Sequence, residues 1–390
     1  MPDVIRALRD ADPAPRNRWS DTAEGRATRD RAFAMPLTPA SRRRHAYSGL
    51  VAAAVVLVIV ASVAIVTRRS EDVGPASSSD FVHGKWTMIP AERTRGLENP
   101  SLIWTGKELV VSGAVSVCCW HGEAYNPRTD KWRSIADPPT VPDRYLVWTG
   151  EELISWSSGQ AYDPARDRWR SIPPAPVTAA PETRAVWTGR ELVVLGAIAE
   201  CPPNADCSTL PNAAAAYDPK TDTWRRLPDL PRAPEGGVSV AWNGVAVVVA
   251  WATCCGGATF AYSPEADTWR EIAAPPPEVA NGEIARTGRG LVGVGMGSGL
   301  WIGAFQLRDG WRPIVEKRPV VYVCQVRATV VPGGEFVTCP QPALYLDLQK
   351  RVWHSLPQPP VLVGATVWTG RELLALSVDG MHLLRYRPGR

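Results

Sequence analysis

From residue 85 onward, short apolar runs alternate with polar turns in a pattern that recurs along the chain. In the stretch from Ala214 to Asp229, an apolar run ends in Tyr217-Asp218-Pro219, a turn follows, and Trp224 opens a second strand. Apolar residues at successive positions indicate strands that are buried on both faces. Further copies of this pattern lie at Tyr125–Trp132, Tyr162–Trp169 and Tyr262–Trp269, and weaker ones at Phe305–Trp311 and Tyr345–Trp353.

A second marker, most often Trp-Thr-Gly, recurs every 37 to 55 residues, the spacing of a propeller or solenoid. Thr-Gly and Asn-Gly favour hairpin turns because glycine accepts a positive φ. Each repeat therefore predicts four strands, A to D, with the marker at the A–B turn. The markers begin at Trp104, Trp148, Trp187, Trp242, Arg286, Val331 and Trp368.

The repeats predict a closed ring. Seven A strands are present, but the last repeat ends at Tyr386-Arg387-Pro388 without a D strand, and Lys85–Pro90 is a D strand with no A, B or C strand before it. Pairing of these two pieces would complete the seventh blade and remove an open sheet edge. The predicted fold is all-β: a seven-bladed β-propeller closed by an N-terminal strand.

The Tyr-Asp-Pro-x-Thr-x-x-Trp stretch resembles the kelch repeat and, more loosely, the central propeller of galactose oxidase. The resemblance covers residues 85–390, although the glycine doublet of kelch repeats is mostly reduced here to one residue, as at Gly113, Gly196 and Gly295. It implies the fold strongly and the function weakly, because propellers have many activities.

Before the repeats, the composition predicts three further segments. Residues 1–44 form an Arg-rich, mostly disordered tail; residues 45–69 form one transmembrane helix with basic flanks, with the apolar run at 47–66; and residues 70–84 form a flexible linker. A cleaved signal peptide is the alternative, but its apolar core and charged region are normally shorter. The cluster Arg42–Arg44 predicts a cytoplasmic N-terminus and an extracytoplasmic propeller at residues 85–390.

The net charge of +4 arises entirely in residues 1–44, where ten arginines meet six acids. The rest of the chain is neutral overall, which gives no electrostatic support for nucleic-acid binding by the propeller. We expect neither a metal site nor a cofactor, and the partner is expected to be an extracytoplasmic protein or an envelope glycan.

All eight cysteines lie beyond residue 117, which indicates disulfides in an oxidising compartment. Cys201–Cys207 and Cys324–Cys339 are candidate pairs. Cys118-Cys119 and Cys254-Cys255 could each form a vicinal disulfide or pair with one another. Soft-metal binding by these four thiolates is a weaker alternative, because the two pairs belong to nearly opposite blades.

Candidate ligand-binding residues follow from the tryptophans. Twelve of the seventeen occupy the two repeat positions and one, Trp19, lies in the tail. The other four lie at the end of strand B or in the B–C connection and predict a stacking surface at one mouth, with packing as the alternative. Charged residues at the beginning of the A strands could bind an anionic group or bond between blades. The predicted site comprises Trp120, His121, Trp156, Trp251, Trp301, Arg144, Arg184, Arg327 and Glu283.

The predicted function is a non-catalytic protein- or ligand-binding module. A copper site like that of galactose oxidase, which the resemblance would suggest, needs converging histidines and tyrosines, and His83, His121, His354 and His382 fall in different parts of the repeats. Neither a nucleophile elbow nor a phosphate loop occurs. The alternatives are a carbohydrate-active enzyme of the cell envelope with a Trp-lined site and a transmembrane sensor that signals through its cytoplasmic tail.

Overall fold

The computed structural model describes residues 78–91, 94, 97–116, 119–142, 146–179, 183–198, 212–234, 237–253, 256–280, 282–296, 301–320, 326–338 and 343–389. The predicted tail and transmembrane segment lie outside these residues. No helix within the described ranges is long and apolar enough to cross a membrane.

In the described residues, thirty strands form seven antiparallel sheets, each of which is one blade of a β-propeller. The predicted all-β, seven-bladed fold is confirmed. Blade 1 contains β2 (Glu98–Trp104), β3 (Leu109–Ser116), β4 (Cys119–Asn126) and β5 (Lys131–Ser134). Blade 2 contains β6 (Val147–Trp148), β7 (Leu153–Ser155), β8 (Gln160–Asp163) and β9 (Arg168–Ser171). Blade 3 contains β10 (Val177–Thr178), β11 (Arg184–Trp187), β12 (Leu192–Ile198), β13 (Ala213–Asp218) and β14 (Thr223–Leu227).

The remaining four blades follow in chain order. Blade 4 contains β15 (Val238–Trp242), β16 (Val247–Thr253), β17 (Gly256–Ser263) and β18 (Thr268–Glu271). Blade 5 contains β19 (Gly282–Thr287), β20 (Gly290–Met296), β21 (Trp301–Leu307), β22 (Trp311–Pro313) and β23 (Arg318–Pro319). Blade 6 contains β24 (Arg327–Val331), β25 (Gly334–Thr338), β26 (Ala343–Asp347) and β27 (Val352–Ser355). Blade 7 contains β28 (Val363–Trp368), β29 (Leu373–Ser377), β30 (Leu383–Arg387) and β1 (Lys85–Ile89). The described part of the chain also contains two short helices, α1 (Ser78–Val82) and α2 (Pro277–Ala280).

The ring closes as predicted. Strand β1 pairs antiparallel with β30, from Lys85 opposite Arg387 to Ile89 opposite Leu383, and so supplies the fourth strand of blade 7. Closure between the two ends of the propeller covers the edge of β30, which would otherwise expose unpaired N–H and C=O groups.

Residues 78–84, which the sequence assigned to the linker, pack on the propeller. Phe81 of α1 is fully buried, stacks on Tyr345 of blade 6 at a centroid distance of 5.2 Å and lies 5.3 Å from the Trp368 ring. The Tyr386 hydroxyl donates to the Phe81 carbonyl and accepts from the Gly84 N–H. Blade 7 has no C–D turn, because its D strand comes from the other end of the propeller. In blade 2 the tyrosine hydroxyl donates to an aspartate of that turn, and in blade 7 helix α1 supplies the acceptor instead.

The D-strand tryptophans brace neighbouring blades. In six blades the indole N–H donates to a carbonyl just beyond the D strand of the preceding blade; Trp132 bonds Pro90 at 2.9 Å, and Trp86 bonds Pro357 at 2.8 Å. Trp311 of blade 5 instead bonds the Thr259 hydroxyl. These bonds link each blade to the one before it, which explains why the repeat has tryptophan at this position.

A charged network ties the blades together at the face that carries the A–B and C–D turns, here called the lower face. Tyr162 donates to Asp167 in its own C–D turn at 2.6 Å, and Arg133 of blade 1 reaches the same carboxylate at 3.3 Å. The Arg133 guanidinium also pairs with Glu108 of its own blade at 2.8 Å. Equivalent sets join blade 2 to blade 3 and blade 3 to blade 4.

The same network joins blade 7 to blade 1 through a different residue. Thr87 occupies the D-strand position that carries arginine in blades 1 to 3, and Arg385 lies directly across the strand pair from it. The Arg385 guanidinium bonds Tyr125 at 2.5 Å and Asp130 at 2.6 Å, and it pairs with Glu372 at 3.0 Å. A change in one strand is thus compensated from the strand beside it.

Blades 5 and 6 depart from the repeat. Trp353 pairs with Leu346, whereas Trp132 pairs with Tyr125, so Tyr345 is one position out of register and faces the opposite side of its strand. The weak sequence match at Tyr345 therefore does not place this tyrosine in the usual junction. In blade 5, Leu307 rather than Phe305 pairs with Trp311.

Candidate functional site

The predicted binding mouth lies on the upper face, which carries the B–C and D–A connections. Only part of the predicted indole surface is accessible. Trp156 and Trp251 are 1% and 2% exposed, so the structure gives these two rings the packing role that the sequence left open as the alternative. Trp156 meets Trp224 of the next blade edge to face, with centroids 6.4 Å apart, and Trp251 stacks on Phe260 at 5.5 Å.

The other two indoles differ from each other. Trp120 is half-buried and packs edge to face on Trp169 of blade 2, at 5.7 Å. Trp301 begins strand C of blade 5 and is 47% exposed. Of the four predicted indoles, Trp301 has the largest exposed fraction and could act as a docking residue.

The predicted charged residues connect the A strands of adjacent blades. Arg184 donates from Nε to the Val238 carbonyl at 2.8 Å. Glu283 accepts from the Arg327 guanidinium at 3.1 Å and from the Ala328 N–H at 2.8 Å. These bonds correspond to the inter-blade alternative, although the exposed part of Arg327 leaves it able to meet a ligand. Arg144 lies outside the described residues.

His121 belongs to a hydrogen-bonded cluster in blade 1. Its Nε2 lies 3.0 Å from the carboxylate of Glu123, which is buried and also accepts from the Ser134 hydroxyl at 2.8 Å. The serine thus donates to the carboxylate rather than to the imidazole, unlike the relay that activates a nucleophilic serine. The cluster satisfies a buried acid.

The cysteine predictions are not tested by the structure. Cys118, Cys201, Cys207, Cys254, Cys255, Cys324 and Cys339 lie outside the described residues, and for Cys119 only its place in β4 is described. Among the described side chains, no group of three or more His, Cys, Asp or Glu residues could hold a metal ion.

Sequence reasoning missed an apolar patch on the upper face of blade 7, formed by Leu362, Val378 and Met381. Each is between 42% and 54% exposed, and the Val378 N–H bonds the Leu362 carbonyl at 2.8 Å. The Asp379 carboxylate accepts the Ser377 hydroxyl and the Met381 N–H, which fixes the turn. Apolar residues on both sides of an Asp-Gly turn are the sequence signal for this patch.

The lower face carries ionised groups in fixed pairs. Burial and a hydrogen bond to Asp222 raise the pKa of Tyr217 to about 12. The same bond is the main reason that the pKa of Asp222 lies below its usual value, and Arg170 lowers it further. A neutral tyrosine, an ionised aspartate and an arginine hold two blades together, so this network has a structural role.

One buried acid has no such pairing. Glu335 is fully buried, and neither carboxylate oxygen has a hydrogen-bond partner among the described residues. Glu335 pairs with the strand C residue that itself pairs with the D-strand tryptophan. In the other six blades, the position of Glu335 holds leucine or valine. Burial, together with the nearby charge of Glu283, raises the pKa of Glu335 to about 8.

The fold and the geometry of its faces therefore carry the functional argument. No model of a known protein family matches the sequence, and a search of curated proteins finds none with significant similarity to it.

Proposed function

We propose that this protein is a non-catalytic binding module that docks a partner protein on the upper face of its propeller. One observation carries the proposal. Among the described residues, six of the nine large apolar side chains that are exposed lie in the B–C or D–A connections or at the strand ends beside them: Val115, Val141, Trp301, Leu362, Val378 and Met381. The lower face exposes mainly the charged C–D turns.

The blade 7 patch is the best candidate anchor. The turn at Gly380 lies against the beginning of blade 1, where an added Cβ would be 3.3 Å from the Leu97 carbonyl. Backbone bonds and the Asp379 side chain hold Val378 and Met381 in place, so a partner would lose little entropy by ordering them. Contiguous apolar residues that remain exposed in this way mark protein interaction sites.

The geometry favours binding over the alternative of a carbohydrate-active enzyme. That alternative relied on four stacking indoles, of which Trp156 and Trp251 are buried. Three described acids near the upper face, Glu123, Glu283 and Asp379, accept hydrogen bonds from neighbouring residues.

Three further parts of the proposal come from the sequence. The kelch type is supported by the Tyr-Asp-Pro and Trp-Thr-Gly markers, which in the structure occupy C–D and A–B turns. Membrane anchoring through residues 47–66 and an extracytoplasmic propeller are supported by the apolar run and by the cluster Arg42–Arg44. Labelling of single introduced cysteines on intact cells tests this topology: residues 1–44 should react only after permeabilisation.

Site-specific photocrosslinking tests the docking face. A benzophenone amino acid at Val378 or Met381 of the full-length protein should crosslink to the same partner, and Leu362→Glu should abolish both products. Val245 is a matched control, because it is 58% exposed but lies in an A–B turn on the lower face. Equal crosslinking from Val245, or products that survive Leu362→Glu, would show that the upper face is not the docking surface.

A further inference from the structure

A second site lies at the outer rim, where blades 5 and 6 meet. A groove of about 540 Å³ separates the last part of blade 5 from the D strand of blade 6. Its lining comprises Val315, Glu316, Lys317, Arg318, Pro319, Arg351, Val352 and Trp353. The walls are therefore part cationic and part apolar.

The groove exists because this junction departs from the repeat. The outer edge of blade 5 is split into β22 and β23, which pair with different parts of β21. Arg312, which follows Trp311 as Arg133 follows Trp132, pairs with Asp309 of its own turn instead of reaching blade 6. Among the described residues, the arginine–aspartate bridge of the regular junctions is thus missing here, although the Trp353 indole still donates to the Glu316 carbonyl.

Arg351 is the most unusual residue of the lining. It adopts a left-handed conformation with φ at 57°, in the turn position that holds aspartate in blades 1 to 4. Aspartate tolerates this conformation and arginine does so poorly, so the chain accepts an energetic cost here. No described residue forms a hydrogen bond or ion pair with the exposed Arg351 side chain. Strained residues without a structural partner are typical of functional sites.

The charges of the groove define what it would bind. Lys317 of the lining pairs with the buried Glu278, and Glu316 is the one acid of the lining. Arg318 bonds the neutral Ser355 hydroxyl at 2.6 Å and keeps its charge for a ligand. Two guanidinium groups therefore face a groove whose floor includes Trp353 and the exposed Val352. Guanidinium groups recognise carboxylates through paired hydrogen bonds.

We propose that this groove binds an extended acidic peptide segment of a partner protein, with carboxylates on Arg318 and Arg351 and an apolar side chain on Trp353 and Val352. An extended segment suits the groove because side chains alternate along it, so that one face could carry the acids and the other an apolar residue. This rim site is separate from the apolar patch on the upper face.

Fluorescence anisotropy of the full-length protein with a labelled hexapeptide of alternating glutamate and valine tests the proposal. We expect saturable binding that weakens as salt is added. Arg351→Asp should weaken it about tenfold or more, the usual loss for a charge-assisted contact. This variant should keep or raise the melting temperature, because aspartate occupies the same turn in four blades. Arg128→Asp, in the C–D turn of blade 1, is the matched control and should bind like the wild type.

Other outcomes contradict the proposal. If Arg351→Asp lowers the melting temperature, Arg351→Asn is measured in its place, because asparagine also tolerates the left-handed conformation. Unchanged affinity in that variant, equal binding of a lysine–valine peptide, or no saturable binding would overturn the site. Equal binding of a glutamate–serine peptide, or displacement by an equal concentration of inorganic phosphate, would show a simple anion site rather than a peptide groove.

Discussion

The buried acid Glu335 should make the stability of this propeller fall as pH rises, and a single substitution should remove this dependence. The pKa of its carboxyl group rises from an ordinary 4.5 to about 8 in the folded state. The folded protein therefore keeps a proton that the unfolded chain releases above pH 4.5. The stability that this proton contributes is fully present below pH 4.5. It is lost as pH rises toward 8, where the carboxyl group of the folded protein also ionises.

The size of this effect follows from the two pKa values. Each tenfold difference in proton affinity corresponds to about 1.4 kcal/mol, so the full loss is about 5 kcal/mol. About 3 kcal/mol of it is already lost at pH 7. Glu335→Gln removes the titrating group and should remove this part of the pH dependence. Because a buried amide without partners also costs free energy, the slope with pH, rather than stability at one pH, is the informative quantity.

Urea unfolding of the full-length protein, followed by tryptophan fluorescence between pH 5 and pH 9, provides the measurement. The wild type should lose about 3–4 kcal/mol more than Glu335→Gln between pH 5 and pH 8. Glu123→Gln is a matched control: this carboxylate is also buried, but it accepts hydrogen bonds from Ser134 and His121. It should be destabilised by about 1–3 kcal/mol, which measures the cost of placing an amide at a buried acid position.

Infrared spectroscopy gives an independent test of the same reasoning. At pH 6.5, about 1.5 units below the folded pKa, the wild type should show the carbonyl stretch of a protonated carboxylic acid, and Glu335→Gln should lack it. Parallel pH dependences for the wild type and Glu335→Gln, together with no such band, would refute the argument that the group is buried without a partner.

Three further predictions concern the contacts that hold the ring together. Trp86→Ala should lose about 3–5 kcal/mol, as expected for a large packed aromatic ring, whereas the exposed neighbour Met88→Ala should be nearly neutral in the same denaturation assay. Arg385→Ala should lose about 2–4 kcal/mol, because it removes one of the two arginines that pair with the buried Glu372 and leaves Tyr125 without its cation. Adding Thr87→Arg should restore much of that loss by returning the cation to the strand that carries it in blades 1 to 3; a double variant no more stable than Arg385→Ala would disprove the compensation. Trp156→Ala should lower the melting temperature about as much as Trp86→Ala, and a change in partner binding without a loss of stability would contradict its packing role.

The sequence by itself determined the number of blades and how the ring closes. Both follow from local chemistry that recurs: a glycine that allows the A–B turn, an aspartate in the left-handed C–D turn, and a tryptophan at the start of each D strand. The unmatched strand at Lys85–Pro90 could then belong only to the blade that lacks a D strand, because an open sheet edge is costly. These features depend on neighbours in the chain, and a pattern can therefore reveal them.

Only the tertiary structure decided which side chains are available for binding. Trp156 and Trp301 look equivalent in the sequence, yet one is buried against Trp224 of the next blade and the other is exposed. Arg385 supplies the cation that the position of Thr87 supplies in blades 1 to 3, and these two residues pair across strands from distant parts of the chain. Burial and pairing of this kind depend on residues that the ring brings together from separate repeats, and no local pattern records that proximity.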